Sequence, residues 1–183
     1  MSLLPHLVNG LALGLLFALL ALGFMLILGL MEQINLAHGS LFALGAYFSF
    51  AIATPRLPLP PDLLQAWAAV PLGWRFTAAI FLAPVLVAPF GVVIERLMRR
   101  TYGRDPLYGL LLTFGAAMVI EDLIRIVWGT RDYMLPVPRG ISGGFLMLDL
   151  IWSTYRFWAA GFAVIAMAVV WLVIERTRFG ALV

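Results

Sequence analysis

Residues 7–31 run apolar without an ionisable group, until Glu32, Gln33 and Asn35 interrupt them. A second apolar run covers 36–53 and ends before Pro55, Pro58, Pro60 and Pro61, because proline cannot continue a helical hydrogen-bond ladder. A spanning helix needs about 20 mostly apolar residues, so both runs read as spans. Residues 63–74 are apolar but too few to cross, and read as an interfacial or re-entrant piece. A third span is expected over 76–94, framed by Arg75 and Glu95 and kinked by Pro84 and Pro89. A fourth covers 107–128, with Glu121, Asp122 and Arg125 in its last turns. Residues 129–155, rich in Gly and Pro with a short apolar insert, read as a long external loop before a fifth span over 157–174. The pattern predicts an all-α, polytopic transmembrane helix bundle of about five spans, read as one domain over 1–183.

Composition agrees with a bilayer. Of 183 residues 63% are hydrophobic and 11% charged, and mean hydropathy is +1.03. A soluble domain has about 45–50% apolar and about 25% charged residues, so this chain carries about half the charge that a solvated surface needs. All 12 basic residues are Arg, and they lie scattered between apolar segments. That is the distribution of membrane-flanking cations rather than of a nucleic-acid surface, despite the net charge of +3. If the 95–106 loop is cytoplasmic, Arg96, Arg99, Arg100, Arg104, Arg176 and Arg178 face inward and Arg56, Arg75, Arg125, Arg131, Arg139 and Arg156 outward. The totals tie, but four crowd into 96–104, and short loops weigh most in the positive-inside rule. The N-terminus is then outside and the 32–35 connection inside. Trp67, Trp74, Trp128, Trp152 and Trp158 fall near span ends, as in an aromatic belt. No basic region precedes Leu7, and the first apolar run is longer than that of a signal peptide.

Candidate chemistry is sparse. There is no Cys for a disulfide, a thiolate metal site or a thiol nucleophile, and His6 and His38 are too few and too distant for a metal cluster. No cofactor is expected: a glycine-rich phosphate loop with Lys is missing, and no acid–base pair suggests an enzyme. Gly10 and Gly14, with Ala18 and Ala21, mark a small-residue face in the first span; Gly39, Ala43 and Ala46 do so in the second, and Ala159, Ala163 and Ala166 in the fifth. Such faces let helices approach closely in lipid. Asn9, a lone amide in an apolar helix, reads as an interhelical hydrogen-bond donor rather than a substrate ligand. In Ile34-Asn35-Leu36-Ala37-His38-Gly39, Asn35 is placed to cap the following helix. His38 bonds a neighbouring helix or lines a water-filled path. Glu121 and Asp122 can pair with Arg125, as an interfacial anchor or as a functional intramembrane group.

Leu7-Val8-Asn9-Gly10-Leu11, then Ile34-Asn35-Leu36-Ala37-His38-Gly39 and Leu44-Gly45-Ala46-Tyr47, resemble the opening of LivH/BraD-type branched-chain amino acid ABC transporter permeases. The resemblance continues, in order, through Ile94-Glu95-Arg96, Val127-Trp128-Gly129 and Arg176-Thr177-Arg178-Phe179-Gly180. It implies the permease subunit of an ATP-driven importer in a bacterial inner membrane. The partners it implies are a second permease subunit, two cytoplasmic ATPase subunits and a periplasmic substrate-binding protein. Asn9, Gly10, Gly14, Asn35, His38 and Gly39 are the candidate pathway or packing residues. Family members are longer, with further helices and a cytoplasmic coupling loop that would begin near Gly180, so a truncated chain is expected. The readings left open are a permease for leucine, isoleucine and valine, one for urea or amides, and a degenerate membrane scaffold.

Overall fold

The computed structural model describes residues 3–31, 34–57, 59–147 and 150–176. Glu32, Gln33, Pro58 and the Thr177-Arg178-Phe179-Gly180 stretch lie outside them. Among the described residues the chain forms α1 (Leu4–Met31), α2 (His38–Ala53), α3 (Pro61–Ala69), α4 (Leu72–Met98), α5 (Pro106–Trp128) and α6 (Thr154–Arg176). A 3-10 turn, Arg99–Thr101, follows α4, and strands β1 (Gly144–Met147) and β2 (Leu150–Ser153) precede α6. The fold is that of an all-α polytopic membrane protein with one small hairpin. Among the described residues three helices are long and apolar enough to cross a membrane, in segments Pro5–Gly29, Leu72–Thr101 and Thr154–Arg176. The 23 residues of α5 are long enough, but Glu121, Asp122 and Arg125 lie in its last third. With 16 residues, α2 is about 24 Å long at 1.5 Å per residue, short of the ~30 Å hydrocarbon layer.

The chain divides into two compact units, residues 1–32 with 139–183, and residues 33–138. In the second, α2 packs between α4 and α5. Leu44 of α2, Ile94 and Met98 of α4, and Ala117, Ile120 and Ile124 of α5 form one buried cluster. Further along α2, Ile52 packs with Ala79 and Ala83. Position 44 thus meets 94 while 52 meets 79 and 83, so α2 and α4 run antiparallel. Close approach between them occurs at Gly45, where an added Cβ would lie 3.6 Å from Val87 Cγ2. The expected small face of the second span is therefore used only in part: Ala43 packs against the buried cluster, whereas Gly39 and Ala46 are exposed, and a Cβ on Gly39 would meet nothing within 4 Å. α2 and α5 run parallel, since residues 36, 40 and 48 of one segment meet 113, 121 and 128 of the other.

Prolines set the boundaries around α3. Pro60 and Pro61 start it, their fixed φ suiting a first turn, and Pro71 precedes α4 in the same way. The stretch expected as one short piece over 63–74 is thus divided, and Trp74 and Arg75 belong to the first turn of α4. The Trp67 indole N–H donates to the Ile52 carbonyl at 2.8 Å, which satisfies an end carbonyl of α2 and holds α3 against it. α4 continues through Pro84 and Pro89 as one helix. Past its end, Arg99 Nε lies 2.6 Å from Glu95 Oε1. The Tyr102 phenol ionises above its ordinary range, because desolvation first and the Glu95 carboxylate second oppose a phenolate there.

In the first unit α1 lies along α6. Val8, Leu15, Phe157 and Val164 share a small cavity where the two helices meet. The expected loop over 129–155 is partly ordered as the hairpin, in which Phe145 faces Trp152. Both rings reach Phe157, at 5.4 and 6.1 Å, and Trp152 is buried. The short apolar insert is what the hairpin packs onto the start of α6, a contact between residues that only folding brings together. Across both units large apolar side chains face outward, as at Leu111 (69% exposed) and Ile126 (79%). Water would oppose such a surface, whereas acyl chains accept it.

Candidate functional site

The residues singled out in the sequence fall in both units. Asn9 is half-buried on α1 and lines the cavity of about 260 Å³ shared with Arg156 and Gly161. Gly10 and Gly14 are exposed, and a Cβ on either would meet nothing within 4 Å. The close contact expected of that face is therefore not made within the described chain. Asn35, His38 and Gly39 stand together where α2 begins.

That beginning is a buried non-helical turn. Residues 34–37 are non-helical, yet Asn35 is 7% exposed and Ala37 fully buried. Their backbone groups need partners, because an unsatisfied one is costly away from water. Asn35 Oδ1 accepts the Ala37 N–H at 3.0 Å, and the Asn35 carbonyl accepts the His38 N–H at 3.3 Å. Asn35 therefore folds the turn before the helix. The N-cap position itself belongs to Ala37, which has no side-chain acceptor, so the expected cap lies two residues too early. His38, half-buried, is the first residue of α2.

Across from this turn stands Thr113, which sequence reasoning missed. Its side chain is fully buried, and its hydroxyl accepts the Leu36 N–H at 3.2 Å. The hydroxyl proton has carbonyls in reach at Gly109 (3.0 Å), Leu110 (3.1 Å) and Ile34 (3.4 Å). One side chain thus joins the irregular 34–37 segment to α5. Thr113 is seven residues into α5, about 10 Å along its axis, so irregular backbone enters the bundle and is tolerated because protein satisfies it. A threonine inside an apolar run was the available signal; its partner could not be read from the chain. Two turns on, Ser40 Oγ donates to Glu121 Oε1 at 3.3 Å. Of the expected acidic pair, Asp122 meets Arg125 at 3.5 Å in an exposed contact, while Glu121 turns to α2.

The other end of the same three helices holds a cavity of about 560 Å³. Leu44, Phe48, Phe90, Ile120, Leu123 and Val127 supply an apolar wall; Arg56, Trp128 and Tyr133 supply the polar groups. α5 stops at Gly129, whose φ of 83° and ψ of −168° suit glycine alone. The turn carries the chain to Tyr133, whose hydroxyl donates to the Trp128 carbonyl at 2.5 Å. Tyr47 packs against Trp128 at 5.4 Å and Phe50 against Tyr133 at 4.6 Å, both with the rings tilted. The Arg56 guanidinium lies over Phe50 (5.4 Å) and Tyr133 (5.6 Å). Asp132 lines an adjoining cavity of about 230 Å³ against the same Tyr133.

Buried polar groups that satisfy a non-helical turn at one end of an apolar helix bundle, with a lined cavity at the other end, belong to a multi-pass membrane protein. The comparison with known proteins makes that specific. The family model for the branched-chain amino acid transport system permease component matches residues 6–183, and the chain belongs to that family. The high-affinity branched-chain amino acid transport system permease protein LivH of Escherichia coli (strain K12) is 30% identical over 135 residues, which cover 73% of this chain and 41% of the relative. LivH of Salmonella typhimurium is 29% identical over the same lengths. The corresponding BraD protein of Pseudomonas aeruginosa is 28% identical over 134 residues, again 73% and 41%. The match thus spans about two-fifths of the length of these relatives. No solved structure matches at a significant level.

Proposed function

We propose that the chain forms part of the translocation path of an ATP-driven importer for amino acids with branched aliphatic side chains. The observation that carries this reading is the family match over residues 6–183, joined by relatives named as high-affinity branched-chain amino acid permeases. On this reading a second permease subunit completes the path, two cytoplasmic ATPase subunits drive it, and a periplasmic binding protein delivers the cargo in a bacterial inner membrane. The arginines of 96–104 face the cytoplasm, and the 53–57 and 129–133 turns, at the other end of α2 and α5, face the periplasm.

Uptake tests the function. Cells stripped of their own branched-chain uptake, given the genes for this permease and its partners, should accumulate labelled leucine. Accumulation no greater than with the ATPase phosphate-loop lysine replaced would refute it. Single cysteines at Tyr102 and Ser142 test the orientation: impermeant thiol reagents should label only the second from outside.

A further inference from the structure

We infer that Arg56 is the carboxylate receptor of an amino-acid site at the mouth of the 560 Å³ cavity, with the aliphatic side chain of the cargo lying against Leu44, Phe90, Ile120 and Leu123. The inference rests on the importer reading for the identity of its ligand. The site itself rests on three features of the structure and on the proposed orientation.

The first is charge. Among the described residues no carboxylate lies within ion-pair distance of Arg56, although Asp132 stands on the loop that carries Tyr133. The guanidinium instead lies over two aromatic faces. Both rings lie on one side of the guanidinium, their own centroids 4.6 Å apart, which leaves N–H groups on its other side for a carboxylate. The second is anchoring. The Arg56 backbone N–H donates to the Ala51 carbonyl at 2.9 Å, Phe50 beneath it is buried, and Tyr133 is tied to Trp128. Arg56 is exposed, and its two ring contacts are what limit the movement of its side chain, so less freedom is lost on binding.

The third feature is shape and polarity. An apolar chamber with one cation at its edge suits a small molecule with an anionic head and a hydrocarbon body, and its size falls within the ordinary range for ligand pockets. The proposed orientation adds position. Arg56 and Tyr133 follow the C-termini of α2 and α5, the end assigned above to the periplasm, where an importer receives its cargo. A free fatty acid shares the carboxylate and the hydrocarbon body. Asp132, in the adjoining cavity on Tyr133, offers a partner for the ammonium group that only the amino acid carries.

Equilibrium binding of labelled leucine to the intact permease complex in nanodiscs, without the binding protein, tests the assignment. Leucinamide, which lacks the carboxylate, should compete about ten- to a hundredfold less well than leucine, the range for losing a charge-assisted hydrogen bond. Arg56→Gln should weaken leucine by a similar factor and abolish its advantage over leucinamide. Arg56→Lys should restore part of that advantage, which guards against a folding defect in the glutamine variant. Equal binding of leucine and leucinamide by the wild type overturns the site, as does wild-type discrimination in Arg56→Gln. So does absence of leucine binding, or displacement of leucine by equimolar laurate. ATP-driven uptake, measured on the same preparation, separates the two levels. Carboxylate-selective binding without uptake refutes the importer and keeps the site; uptake with unaltered selectivity in Arg56→Gln refutes the site and keeps the importer.

Discussion

Replacing Thr113 by valine keeps the shape of a fully buried side chain and removes the hydroxyl that accepts the Leu36 N–H. The carbonyls of Gly109 and Leu110 retain their helical environment, so the loss concentrates on one backbone donor. An unsatisfied buried donor costs about 1–3 kcal/mol, whereas hydrogen bonds between membrane helices average about 0.6 and reach about 1.7 kcal/mol. The two ranges overlap at about 1–2 kcal/mol, which is the expected cost. For a chain of this size each kcal/mol moves Tm by about 2–4 °C, so the detergent-solubilised variant should melt about 2–8 °C lower. Thr113→Ser also loses stability, about 1 kcal/mol for one buried methyl, yet keeps the acceptor. Hydrogen exchange distinguishes them: the Leu36 amide should exchange faster in the valine variant and at the wild-type rate in the serine variant. Wild-type melting and wild-type Leu36 exchange in Thr113→Val would refute the role given to this hydroxyl.

Gly129→Ala should cost about 1–3 kcal/mol, since the backbone there occupies a region that side chains avoid; a lowered Tm with faster exchange in the last turn of α5 checks it. Trp67→Phe keeps the ring but loses the bond to the Ile52 carbonyl, so a loss of about 1 kcal/mol is expected in thermal melts. Gly14→Leu should leave the melting of this chain unchanged, because a Cβ there meets nothing within 4 Å. It should reduce co-purification of the second permease subunit if that open small face packs between subunits, and undiminished recovery of the partner would remove Gly14 from the interface.

Span positions were legible in the sequence because length and hydropathy are properties of a contiguous segment, and the bilayer sets the length required. That is why the 7–31, 107–128 and 157–174 expectations fall on α1, α5 and α6. The proline-marked break after residue 53 was local in the same sense, whereas the break at Pro71 went unread within the 63–74 run. The peculiarity of the 34–39 stretch was also visible, since an amide and an imidazole beside an apolar run stand out one residue at a time. Pairings were a matter for the tertiary structure. Gly45 rather than Gly39 meets α4, because the phase of a helix against its neighbour depends on both surfaces at once. Thr113 found the 34–37 backbone 77 residues away from Leu36, and Glu121 left its neighbour Arg125 for Ser40, 81 positions distant. Arg56 looked like one more flanking cation until folding set it over Phe50 and Tyr133. A membrane environment makes local hydrophobicity informative about which segments cross, but it gives apolar surfaces little preference among partners. The few polar groups and close backbone approaches then select the arrangement, and those exist only between segments.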